Sequence, residues 1–100
     1  MKIEFERTGG FAGMRLAAAL DTDAMPGAEA AALLQLVAAA AFFQLPAAIA
    51  AAKRQPDRFH YRLTATAAGT THTVEVDEEA LPPRLRPLVE KLSAAAQEQS

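Results

Sequence analysis

The two halves of this 100-residue chain repeat one another. Sliding the sequence by 56 residues superimposes them without a gap: Ile3 falls on Phe59, Phe5 on Tyr61, Thr8 on Thr64, Gly13 on Gly69, Leu20 on Val76, Asp21 on Asp77, Ala24 on Ala80, Pro26 on Pro82 and Leu36 on Leu92. A period this long in so few copies does not describe a solenoid. Each copy must instead be one supersecondary unit, and the two units together must bury a shared core.

Hydrophobic periodicity says what the unit is. Residues 2–7 place Ile3 and Phe5 on one face and Lys2, Glu4 and Glu6 on the other, the period-2 pattern of a half-buried strand. A glycine-rich turn, Thr8-Gly9-Gly10-Phe11-Ala12-Gly13, leads into the alternating Met14, Leu16, Ala18 and Leu20, which completes a hairpin. Asp21, Asp23 and Pro26 supply a helix start, and Leu33, Leu36, Val37 and Ala40 give an apolar stripe from Ala28 to about Phe43. The second copy repeats the order. Phe59, Tyr61, Leu63 and Ala65 alternate, then His72, Val74 and Val76, around a four-residue loop at Ala67-Ala68-Gly69-Thr70. That register sets Leu63 against Val74, Tyr61 against Val76 and Arg62 against Glu75. Asp77-Glu78-Glu79 reads as an acidic helix start with Pro82-Pro83 in its first turn, followed by the stripe Leu85, Leu88, Val89, Leu92 and Ala95; residues 97–100 should fray.

The predicted fold is therefore α+β, a ββαββα pseudo-repeat in which two hairpins join as a four-stranded antiparallel sheet with both helices on one face. Its half-repeats span about 2–43 and 58–97, in a single domain. The connection, 44–57, lies between Pro46 and Pro56 over much of its length and reads as irregular and partly helical.

Composition narrows the function. Alanine contributes 25 of the residues behind the 51% hydrophobic fraction, so the core is thin and a ligand cavity is disfavoured. The net charge of −2 and the lack of any basic run beyond Lys53-Arg54 argue against nucleic acid. The apolar run 28–52 is mostly alanine and is interrupted by Glu29, Gln35, Gln44 and Pro46, so no membrane span is expected; the charged, alternating N-terminus does not resemble a signal peptide, and a cytoplasmic location is expected. With no cysteine, thiolate chemistry is absent.

Nothing predicts an enzyme, a cofactor or a metal. The only histidines, His60 and His72, fall on opposite faces, His60 solvated and His72 partly buried, and neither belongs to a ligand motif. The acidic groups Asp21, Asp23, Asp77, Glu78 and Glu79 are explained as helix-start residues. Gly9, Gly10 and Gly13 lead into a strand with no phosphate-loop lysine, and neither Ser93 nor Ser100 sits in a nucleophile elbow. Two surfaces remain. One is the hairpin tip Gly9, Gly10, Phe11, Ala12 and Gly13, where an aromatic side chain either anchors a partner or folds back over the sheet edge. The other is the connection, with Leu45, Ile49 and Lys53-Arg54.

The segments Ile3-Glu4-Phe5-Glu6-Arg7-Thr8-Gly9-Gly10-Phe11-Ala12-Gly13, Asp57 to Leu63 and His72 to Asp77 resemble emfourin, a family of small bacterial inhibitors of protealysin, a thermolysin-like zinc metalloprotease. The resemblance runs from Met1 to about Leu92. It implies reversible inhibition of a thermolysin-like, protealysin-type metalloprotease of the same bacterium, with the zinc on the target. Such proteases favour a bulky apolar side chain just after the scissile bond, so the resemblance makes Phe11, Leu45 and Ile49 the candidate anchors. The competing reading is a non-inhibitory interaction or self-assembly domain that pairs through an edge strand or the open sheet face. Either way the protein is expected to be a monomer or a weak homodimer.

Overall fold

The computed structural model describes residues 1–10, 13–53 and 57–99. Its order is β1 (Lys2–Gly9), β2 (Leu16–Asp21), a 3-10 turn (Thr22–Ala24), α1 (Gly27–Ala39), a second 3-10 turn (Phe42–Gln44), β3 (Ala48–Ile49), β4 (Phe59–Ala67), β5 (Thr70–Asp77), a third 3-10 turn (Glu78–Ala80) and α2 (Arg86–Gln99). The sheet has five strands in the order β2-β1-β4-β5-β3. The four hairpin strands pair antiparallel, as their alternation predicts.

At the centre of the β1–β4 ladder Glu6 pairs with Arg62, its own counterpart at the 56-residue offset, flanked by Phe5 with Leu63 and Arg7 with Tyr61. The hairpins are thus related by an approximate two-fold axis between Glu6 and Arg62. One face of the sheet contributes Ile3, Phe5, Ala18, Tyr61, Leu63, Ala65, Val74 and Val76 to a single buried cluster. Leu33, Val37 and Ala40 from the α1 region join it, with Leu85, Leu88, Val89, Leu92 and Ala96 from the α2 region. Both helices therefore cover one face, and the other carries Glu4, Glu6, Arg62 and Glu75.

Several expectations are corrected. The sheet is mixed and five-stranded because Ala48–Ile49 runs parallel to β5 against Glu75 and Val76, with the Glu75 amide donating to the Ala47 carbonyl at 2.8 Å. Within the connection, expected to be irregular and partly helical, Ala48–Ile49 is thereby a two-residue strand that covers part of an open edge. α1 stops at Ala39 and not near Phe43, because Ala41 turns left-handed (φ 50) and the 3-10 turn behind it drives Phe42 into the core at 2% exposure. The stretch Gly27–Gln44 is long and apolar enough to cross a membrane by length and composition, with mean hydropathy 1.4, but Leu33, Val37 and Phe42 within it are core residues. The acidic residues after β5 form their own 3-10 turn, and α2 begins only at Arg86, after the Pro82 carbonyl has accepted from the Leu85 and Arg86 amides. Ala96, not Ala95, completes its buried stripe. Residues 97–99 are helical where fraying was expected. The second hairpin closes in two residues and not four: Ala67 pairs with Thr70, and Ala68 (φ 50) and Gly69 (φ 79) make the left-handed pair of a type I′ turn.

Candidate functional site

Strand directions bring the two candidate surfaces together. β1 leaves the sheet at Gly9 opposite Phe59, where β4 enters, and β5 leaves at Asp77 opposite His60. β3, parallel to β5, leaves beside Val76. The glycine loop and the connection therefore emerge at the same end of the sheet, while the tight Ala68–Gly69 turn lies at the other.

The glycines are required by geometry. Gly9 (φ 85) and Gly10 (φ 80) are left-handed, a conformation that costs an L-residue about 1–2 kcal/mol. A side chain would also collide: a Cβ on Gly9 would stand 2.7 Å from the Arg58 carbonyl oxygen, and one on Gly10 would stand 2.5 Å from the Phe59 ring. The backbone approaches this closely because the Gly10 amide donates to the Arg58 carbonyl at 3.2 Å, extending the β1–β4 ladder into the loop. The Gly13 amide then donates to the Gly10 carbonyl at 3.1 Å. The Phe59 ring lies against Tyr61 and under the Arg7 guanidinium, 4.2 Å from its centroid. Phe11 and Ala12 lie outside the described residues.

The connection is fastened by side chains whose roles differ from those expected. Leu45 is buried, at 6% exposure, and its carbonyl accepts from His72 Nε2 at 2.8 Å, which fixes the tautomer of that ring because a carbonyl can only accept. His72 also packs on Phe42 and Phe43, so its partly buried position has a specific partner. Leu45 thus sits in the core and offers no exposed anchor, whereas Ile49 is half-buried on β3. Next, the Ala51 amide donates to Asp77 Oδ2 at 2.9 Å, and Asp77 Oδ1 lies 2.8 Å from His60 Nδ1. His60 Nε2 is 3.1 Å from Glu75 Oε1, so this histidine is bracketed by carboxylates where a merely solvated ring was expected. Glu78 Oε1 accepts from the Phe59 amide at 3.0 Å.

Asp77 and Glu78 therefore tie loops at this end of the sheet, correcting their assignment as helix-start groups. The repeat makes the difference visible, because Asp21, the counterpart of Asp77, does cap: its Oδ1 accepts from the Asp23 amide at 3.0 Å, and Asp77 makes no such bond. Sequence reasoning missed this clasp and the Arg7–Phe59 stack. The usable signal was that Asp-Thr-Asp in one half becomes Asp-Glu-Glu in the other.

The remaining chemistry is sparse. Burial, followed by the nearby Glu78 charge, raises the Tyr61 phenol above its ordinary range. Among the described residues no group of three or more His, Cys, Asp or Glu is arranged to hold a metal ion. A shallow groove of about 650 Å³ on the open face is lined by Lys2, Glu4, Glu6, Arg15 and Arg62.

Fold and site together describe a small α+β protein whose most elaborated surface is a loop-bearing sheet end. A family model described as Emfourin matches residues 5–93, and the chain belongs to that family. Membership suggests a metalloprotease-inhibitor role. No curated protein and no solved structure matches.

Proposed function

We propose that this protein is a reversible inhibitor of a thermolysin-like, protealysin-type zinc metalloprotease. It binds by the sheet end that carries Gly9, Gly10, Phe11, Ala12 and Gly13, with Ile49 and the residues after it alongside, and so blocks the active-site cleft. The observation that carries the reading is the convergence of the glycine loop and the connection at one end of the sheet, each tied down by its own hydrogen bonds. A loop presented to a protease must be held in place to resist cleavage, and preorganisation also lowers the entropic cost of binding. Leu45 supports this edge from inside the core. The zinc belongs to the target, and the inhibitor acts in the cytoplasm on a protease of the same bacterium.

The test is a titration of a protealysin-like protease and of thermolysin, following cleavage of a fluorogenic peptide, with Phe11→Ala in parallel. The expected result is stoichiometric inhibition by the parent and a loss of at least about tenfold in affinity for the variant. Absence of inhibition by the folded parent at micromolar concentration would remove the proposal.

A further inference from the structure

The β2 edge runs from the loop-bearing end, where Leu16 pairs with Arg7, to the opposite end, where Asp21 pairs with Lys2, and its middle has a feature the inhibitor reading does not use. The carboxamide of Gln99, at the end of α2, accepts from the Ala19 amide at 3.3 Å and donates to the Ala19 carbonyl at 3.2 Å. Ala19 therefore points both backbone polar groups away from β1 and out of the sheet. By the two-residue period of a strand, Ala17 and Asp21 turn theirs the same way. The edge carries no bulk, since Ala17 and Ala19 are exposed alanines on the open face.

The sequence of this edge is palindromic in size and complementary in charge: Arg15-Leu16-Ala17-Ala18-Ala19-Leu20-Asp21. Consider a second copy laid antiparallel with Ala18 opposite Ala18. Ala17 then faces Ala19 of the other copy and Leu16 faces Leu20, while each Arg15 faces an Asp21. The outward-pointing residues meet one another as hydrogen-bonded pairs, and no residue changes face. Leu16 and Leu20, half-buried in the single chain, cover each other across the junction. Such a contact is isologous and closes on itself.

We infer that the β2 edge is a self-pairing site, where a second copy of this chain adds its own β2 in that register, and that Gln99 guards it by occupying the Ala19 groups. The guard competes directly with pairing. Two Gln99 carboxamides must leave when the two strands meet, so the parent associates only weakly. Arg15 also bonds its own Glu6 (2.8 Å), and Asp21 caps the following turn, so the inter-copy ion pairs strengthen and align the contact without dominating it.

Sedimentation equilibrium from micromolar to millimolar concentration tests this without any protease. Gln99→Ala is expected to raise the association constant about tenfold, the effect of removing one competing pair of hydrogen bonds per chain. Arg15→Asp sets like charges opposite each other at both ends of the junction and is expected to weaken association about tenfold. Adding Asp21→Arg to it restores opposite charges and association, with circular dichroism confirming the fold of each variant. Amide shifts of Gln99→Ala on dilution are expected to concentrate at residues 15–21. The inference fails if Gln99→Ala remains monomeric at millimolar concentration. It fails equally if the double charge reversal is folded but does not associate, or if the dilution shifts map to the glycine loop or to β5.

Discussion

The two hairpins are built on one pattern, and their tips differ. In the second, Ala67 pairs with Thr70 and the chain reverses through Ala68 and Gly69 alone. In the first, pairing with β2 ends at Arg7 and Leu16, and the chain between them continues along β4 as far as Gly9 before turning back. The approximate two-fold axis sends the tips to opposite ends of the sheet, and the connection, which begins beside His72, runs along β5 and leaves the sheet at the first. A near-symmetric scaffold thus acquires one plain end and one elaborated end. The same divergence appears in Asp21 and Asp77, equivalent in the repeat, one capping a turn and the other holding the connection. What the halves share keeps the core; what they do not share carries the proposed interface.

This contrast predicts that stability and inhibition separate by position. Leu63→Ala removes a side chain that is 1% exposed at the centre of the shared core, and is expected to cost about 2–5 kcal/mol in urea unfolding while the surviving folded fraction inhibits normally. Gly10→Ala strains a left-handed residue and drives a methyl into Phe59, displacing the ring from beneath Arg7. Its expected signature is a rise of at least about tenfold in the inhibition constant, a loss larger than its stability change accounts for. Gly69→Ala meets the same φ penalty in open space at the plain end, so about 1 kcal/mol of stability should go with inhibition untouched. If Gly69→Ala impaired inhibition as much as Gly10→Ala does, the distinction between the ends would collapse.

The smallest effect expected is an alkaline one. Tyr61 is the only tyrosine, the chain has no tryptophan, and the folded phenol titrates above its ordinary value near 10. A raised folded pKa means the folded state holds the proton more tightly than the unfolded one. Its contribution is therefore complete below about pH 10 and fades as pH climbs through the folded value. Phenolate absorbance should appear at higher pH in the native protein than in urea; coincident titrations would contradict the burial of that ring.

Much of the scaffold was legible because strand alternation is a local signal. Ile3 with Phe5, and Tyr61 with Leu63, identify their faces unaided, and Leu63 opposite Val74 follows once the hairpin is recognised. The failures share one cause, which is that the deciding partner is distant in sequence. Ala48–Ile49 has no alternation to read and becomes a strand only because β5 offers it an edge. Ala68 gives no turn signal, since alanine rarely turns left-handed, so the sequence suggests a loop two residues longer than the one that forms. Asp77 and Glu78 look like helix-start acids until Ala51 and Phe59 arrive to bond them. At the proposed site, the glycine loop was visible from composition alone, but its position beside the connection depends on strand direction and β3. The inward turn of Leu45 depends on His72, in the other half of the chain.

The most direct test of the two-ended account is a map of backbone amide protection on the isotope-labelled protein, free and bound to a protealysin-like protease. The account predicts slowed exchange at Gly9, Gly10 and Gly13 and through residues 49–53, with Ala68, Gly69 and Thr70 unchanged. Protection centred on the Ala68–Gly69 turn, or spread over the open face around Glu4 and Arg62, would contradict it.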